Sequence, residues 1–208
     1  MTEPVLVGQN LTVEFPNGRR SRTIFSSLNF AVRPGAVTAV VGPSGSGKTT
    51  LLNLIDRSLA PTAGSVLWPD PAYGTRLSHV FQDARLIPFL NVRENIEFAL
   101  SLCGGGITED QIDGLLAELG VAGQADALPR ELSGGELQRA AIARSVAVAP
   151  LTLLADEPTG ALDRANAERI AELLGSLAAE HDLAVVVATH DPAVYAQADE
   201  IIDLGLPA

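Results

Sequence analysis

The stretch VTAVVGPSGSGKTTLLNLI, Val37 to Ile55, decides the fold. Val37 to Val41 is a short continuous apolar run after the Pro34-Gly35 turn, the pattern of a strand buried on both faces. LLNLI at its other end has the apolar density of a helix. Between them, Gly42, Pro43, Ser44, Gly45, Ser46, Gly47, Lys48 and Thr49 satisfy the spacing G-x-x-x-x-G-K-[ST], with Thr50 following. Glycines are needed there because backbone N–H groups must turn inward and approach phosphate oxygens closely, and the following helix aims its positive end at the same point. Lys48 would reach β- and γ-phosphates, and the Thr49 hydroxyl would bind Mg²⁺. A glycine-rich turn with a surface lysine would not need the strand before it and the helix after it.

Working outward, Leu11 to Phe15 alternates, Pro16-Asn17-Gly18 reads as a turn, and Leu28, Phe30 and Val32 alternate again. Ser65 to Trp68 and Leu77 to Phe81 are short strand-like pieces. Asn91 with Glu94 forms a capping box that opens a helix through Leu102, which the run Cys103 to Gly106 breaks. Thr108 and Gln111 cap another, with Ile112, Leu115, Leu116 and Leu119 on one face and Gly120 as its stop. A third helix is predicted over about 133–148. Leu151 to Ala155 and Ala184 to Ala188 read as further buried strands, separated by a helix capped at Asp163. Asp191-Pro192 starts a short helix, and Glu200 to Leu204 supplies a last strand. Buried strands alternating with helices predict an α/β fold with a mostly parallel core sheet covered on both faces. The 208 residues read as one domain, with a helical subdomain at about 91–148.

Composition narrows the partners. Fourteen Lys and Arg against 25 Asp and Glu give a net charge of −11, which argues against nucleic acid and against a polybasic dock on lipid. Arg19, Arg20 and Arg22 form the one tight basic cluster, read as a solvated hairpin loop. The lone Cys103 cannot form an internal disulfide. No segment reaches the run of about 18 apolar residues that spans a bilayer, and the acidic N-terminus is no secretory signal. These features predict a soluble intracellular chain that meets any membrane through a partner.

In open α/β sheets ligands collect at the carboxyl ends of strands, and Gly42, Asp156 and His190 all stand at such ends. Asp156 beside a phosphate loop suits Mg²⁺, and Glu157 could orient or deprotonate a water. His190 by itself reads equally as a solvated residue. Ser133-Gly134-Gly135-Glu136 is open between two readings. Ser133 and Glu136 make a capping box with no ligand needed, yet two glycines at a helix N-terminus also make an anion site.

Leu132 to Glu136 followed by Leu137-Gln138-Arg139 resembles the signature motif of ATP-binding cassette ATPases. GPSGSGKTT, VFQ at Val80 to Gln82, LLADEP at Leu153 to Pro158, GALD at Gly160 to Asp163 and THD at Thr189 to Asp191 match the same family in order. FQDARLIPFLNVRENI and DEPTGALD resemble its lipoprotein-releasing and macrolide-exporting subclass. The resemblance implies an ATPase with ATP and Mg²⁺, working as a homodimer that drives separate transmembrane permease subunits from the cytoplasmic face of the membrane. It implies that Glu157 is the catalytic base, that His190 holds the γ-phosphate and the water, and that Gln82 links Mg²⁺ and water to the permease. It sets Ser133, Gly134, Gly135 and Glu136 against the nucleotide of the other subunit, with Asp163 lining the dimer contact. Phe15 falls where the family has an aromatic that stacks on adenine, though it also reads as an ordinary strand residue.

Only seventeen residues separate Gly64 from Gln82, so the antiparallel β subdomain is expected to be trimmed. Two other functions use the same engine residues. One is an ATPase driving a membrane regulator that moves no cargo; the other is a soluble cassette of DNA repair or translation, which usually carries two cassettes or a long coiled coil.

Overall fold

The computed structural model describes residues 3–18, 20–103 and 108–205. The apolar run Val37–Val41 forms β3 and lies between β7 (Ala184–Thr189) and β8 (Glu200–Asp203), parallel to both. β6 (Thr152–Asp156) and β5 (Leu77–Phe81) extend the sheet on the other side of β7, giving the order β5-β6-β7-β3-β8. The continuous apolar runs follow from this. Val185 and Val187 of β7 and Leu153 and Ala155 of β6 enter one core, while Ala184, Val186, Ala188 and Leu154 enter a second on the opposite face. A strand covered on both sides has no solvent face to mark with polar residues.

One core is closed by α3 (Val92–Cys103), α4 (Glu109–Glu118), α5 (Gly134–Ala147) and α6 (Arg164–His181), through Ile96, Leu116, Ile142 and Leu174 among others. The other is closed by α1 (Lys48–Ile55) and by an antiparallel sheet of order β2-β1-β4. Its strands are β1 (Leu6–Asn17), β2 (Arg20–Val32) and β4 (Ala63–Leu67). The expected caps form: Asn91 and Glu94 exchange backbone-to-side-chain bonds of 2.8 Å, Thr108 and Gln111 close a box, and Asp163 accepts from Asn166 N at 2.9 Å. Gly120 ends α4 at φ 65°. α7 (Pro192–Tyr195) starts behind Asp191 as read. Gly104 to Gly106, expected to break α3, lie outside the described residues, as does Arg19.

Three local readings change. Pro16 and Asn17 belong to β1, opposite Ser21 and Arg20, instead of a turn. Proline is tolerated there because β4 pairs with β1 only between Val7 and Thr12, so Pro16 faces no second neighbour. Arg20 and Arg22 are strand residues of β2, not loop residues. A short helix, α2 (Pro71–Thr75), capped by Asp70, fills most of the span between β4 and β5. Among the described residues no helix is long and apolar enough to cross a membrane.

Candidate active site

The parallel register fixes the site. Phe81 pairs with Asp156, Asp156 with Ala188, and Val41 with Thr189, so the residues that follow these strands leave the sheet along one edge. Gln82, Glu157, His190 and the loop Gly42–Gly47 therefore meet in a crevice at the carboxyl ends of the strands, where open α/β sheets bind ligands.

The loop adopts backbone that needs glycine. Gly42, Gly45 and Gly47 have φ of 151°, 80° and 103°. A Cβ on Gly47 would lie 2.3 Å from Ile24 Cγ2, and one on Gly42 would lie 2.6 Å from Ser46 Oγ. The Ser46 hydroxyl is buried with no hydrogen-bond partner among the described residues. Lys48, 7% exposed, donates to Gly42 O at 2.9 Å and stands 3.2 Å from Glu157 Oε1. Ammonium and carboxylate are thus held together where the helix N-terminus favours an anion.

Glu157 leaves β6 with φ 47°, a left-handed backbone that costs a non-glycine residue about 1–2 kcal/mol. Its N–H donates to Ala188 O at 2.8 Å, which holds the kink. His190 Nδ1 lies 3.0 and 2.9 Å from the two Glu157 oxygens. Carboxylate oxygens only accept, so Nδ1 carries the proton in this contact. Thr49 Oγ1 donates to Asp156 Oδ2 at 2.8 Å. Gln82 lays its amide against Gly160, where a Cβ would come within 3.0 Å of Nε2.

A cavity of about 500 Å³ opens over the loop, lined by Ser44, Lys48, Thr50, Gln82, Glu157 and His190 among others. A second, of about 490 Å³, shares Thr49, Gln82 and Glu157 with it and adds Asp156 and Arg85. Arg22 and Ile24 of β2 line the first cavity, a contact that the sequence reading missed because it depends on how the two sheets meet. Phe15 does not line it. It is 39% exposed on β1, directly across the ladder from Arg22.

Ser133, Gly134, Gly135, Glu136 and Asp163 stand away from this cavity, and each has an account within its own chain. The Ser133 hydroxyl donates to Glu136 Oε2 at 2.6 Å, Ser133 N donates to the same oxygen at 2.8 Å, and Glu136 N closes the box at 3.4 Å. These bonds from Ser133 hold the Glu136 carboxyl below its usual range. Asp163 is held low likewise, by the backbone and side-chain N–H groups of Asn166. A Cβ on Gly135 would meet Asn166 Oδ1 at 2.7 Å, so the close approach of α5 and α6 accounts for that glycine unless the Asn166 side chain shifts.

Known proteins agree with this geometry. The profile of the family described as ABC transporter matches residues 25–160. Lipoprotein-releasing system ATP-binding protein LolD 1 of Rhodopirellula baltica is 38% identical over 96% of this chain and 93% of its own length. The macrolide export ATP-binding/permease protein MacB of Rhodopseudomonas palustris is 35% identical over 98% of this chain, which spans 33% of that longer protein. The solved ATP-binding cassette MJ0796, a dimer in a post-hydrolysis state with ADP and Pi, superposes with a TM-score of 0.79. It is 33% identical, over 96% of this chain and 94% of its own.

Proposed function

The chain belongs to the ABC transporter family as one of its ATP-binding, ATP-hydrolysing subunits, and from that premise we propose how its residues divide the work. ATP seats its phosphates in the loop Gly42–Gly47. Lys48 Nζ exchanges Gly42 O and Glu157 for phosphate oxygens, a charge-assisted contact stronger than the carbonyl bond it gives up. That exchange releases the Glu157 carboxylate to take a proton from a water near the γ-phosphate. His190, already hydrogen-bonded to Glu157 through Nδ1, orients the carboxylate.

Thr49 and Asp156 suit Mg²⁺: a hydroxyl and a carboxylate 2.8 Å apart are hard oxygen donors, with the Gln82 amide lining the same second cavity. Bound there, Mg²⁺ would neutralise charge on the phosphates. The rest of the work belongs to the chain's own side chains.

The observation that carries this reading is the meeting of Lys48, Glu157 and His190 in one bonded row at the phosphate loop. ABC cassettes dimerise and work with transmembrane permeases. For this chain we take the dimer to be two identical copies, with Ser133 and Gly135 of each facing the nucleotide of the other. We take the permease to be a separate polypeptide, reached at the cytoplasmic face through the groove near Gln82 to Phe89, and residues 91–148 to be the helical subdomain. By likeness to LolD and MacB, the cargo is of the lipoprotein or macrolide type, moved outward. Size-exclusion chromatography of Glu157→Gln with ATP tests the two-copy arrangement. A species of twice the monomer mass is expected, and a monomer at saturating ATP would overturn it. The membrane protein that copurifies with the tagged chain would identify the cargo class.

A further inference from the structure

β5 is an edge strand: it pairs with β6 on one side and leaves its other row of carbonyls to be satisfied elsewhere. The helix α5 supplies the donors. Ser145 Oγ donates to His79 O at 2.8 Å, and the buried Gln138 Nε2 donates to Phe81 O at 3.2 Å. Beyond the strand, Arg144 spreads its fork over two successive carbonyls, Nη1 to Arg85 O at 2.5 Å and Nη2 to Ala84 O at 3.2 Å. Gln82 thus lies between two points gripped by the same helix.

The gripped residues are unusual. Ala84 and Arg85 have φ of 56° and 47°, consecutive left-handed residues without a glycine between them. Their own N–H groups bond back to Phe81 O and Asp83 O, and the Arg85 guanidinium lies 3.8 Å over the Phe81 ring. A backbone that ordinary residues avoid persists only where its surroundings over-determine it. Arg144, half-buried, is the part of those surroundings that bonds both carbonyls of the turn. It makes no ion pair among the described residues, and burial alone pushes its pKa down. Its donors go to the turn. A lysine offers a compact ammonium on a flexible stem in place of this rigid planar fork, so it would hold the two carbonyls less firmly.

We propose that Arg144 is a positioning residue for the ATPase reaction: its fork holds the turn 82–85 so that the Gln82 amide stays against Gly160 at the mouth of the cavity. The proposal rests on the reading of Gln82 as a participant in hydrolysis, and two separate measurements distinguish them. The first is hydrogen exchange of the full chain. In Arg144→Lys the amides of Ala84 and Arg85 are expected to exchange at least about tenfold faster while those of β6 and β7 keep their rates. Unchanged exchange at Ala84 and Arg85 overturns the proposal whatever the activity. The second is turnover. Arg144→Lys is expected to lower kcat about tenfold with KM for ATP unchanged, and to add nothing to Gln82→Ala. An equal loss in the Gln82→Ala background overturns positioning in favour of a general structural role. Wild-type turnover in Gln82→Ala overturns the Gln82 reading, and the exchange result then stands on its own for the turn. If Arg144→Lys folds poorly, adding Ala84→Gly, which suits the left-handed backbone, is expected to restore slow exchange at the turn; no restoration counts against the fork as its support.

Discussion

Glu157→Gln separates two consequences of the Lys48–Glu157 contact that are otherwise entangled. The pair lies 3.2 Å apart with side chains 7% and 18% exposed, so solvent screens it weakly. Before ATP arrives, Glu157 competes with the phosphates for Lys48. Replacing the carboxylate by an amide keeps the shape and a neutral acceptor but removes the charge. The ammonium still donates to the amide, so only the carboxylate's share of the charge assistance is lost. With charged bonds at about 1.5–3 kcal/mol and neutral ones at about 0.5–1.5, the competition weakens by at most about 1–1.5 kcal/mol. That is at most about tenfold tighter binding of a non-hydrolysable ATP analogue, read by calorimetric titration. Loss of a general base should at the same time lower kcat by about 10²–10⁴-fold, read by phosphate release. Equal or weaker analogue affinity would refute the competition for Lys48. Turnover near that of the unaltered chain would remove Glu157 from water activation, whatever the affinity.

Much of this site was legible because sheet topology does the assembling. Once Val37 to Val41, Leu151 to Ala155 and Ala184 to Ala188 read as buried parallel strands, Gly42, Asp156, Glu157 and His190 had to share an edge. The caps at Asn91, Thr108, Ser133 and Asp163 were legible because each is closed within four residues. The helix α2 carries the same Asp-Pro start as α7, Asp70-Pro71 beside Asp191-Pro192, so the signal was present, but Gly74, a poor helix former, stands inside its single turn and obscures it. What stayed hidden depends on distant parts of the chain. Arg22 reaches the cavity only because the antiparallel sheet is laid over the phosphate loop, as Ile24 against Gly47 shows. The fork of Arg144 on a turn sixty residues earlier in the chain is likewise invisible to any local pattern. Nor does sequence reveal that Glu157 sits in a left-handed kink, which turns its carboxylate back toward Lys48 and His190.

Lys48→Ala should weaken ATP binding by about 1.5–3 kcal/mol, about 10- to 150-fold in titration, since a charge-assisted phosphate contact is lost; unchanged affinity would count against the phosphate-loop assignment. His79 offers a pH test: burial lowers its pKa, against the opposing pull of Asp56 at 3.1 Å. A folded pKa below the unfolded value of about 6.5 means that the unfolded chain binds the proton first, so this contribution is intact above about pH 6.5 and is lost as pH falls below it. His79→Gln should therefore flatten the acid side of a Tm-against-pH curve, and an identical slope in both proteins would refute this. Ser133 carries the last test, because its box with Glu136 is complete within one chain and so cannot by itself argue for a second copy. If the box is its whole role, Ser133→Arg costs about 0.5–2 kcal/mol of stability and leaves hydrolysis intact in folded molecules. If Ser133 instead faces the nucleotide of a partner copy, the bulky cation blocks closure, and the variant binds ATP as a monomer that barely hydrolyses it. Mixing Ser133→Arg with Lys48→Ala then builds dimers with one doubly damaged site and one intact site, because each copy lends the Ser133 edge to one site and Lys48 to the other. Partial recovery of turnover from two inactive proteins is the expected outcome. Full turnover of folded Ser133→Arg on its own would sink the shared site, since a residue outside its own cavity and dispensable to hydrolysis has no nucleotide left to touch.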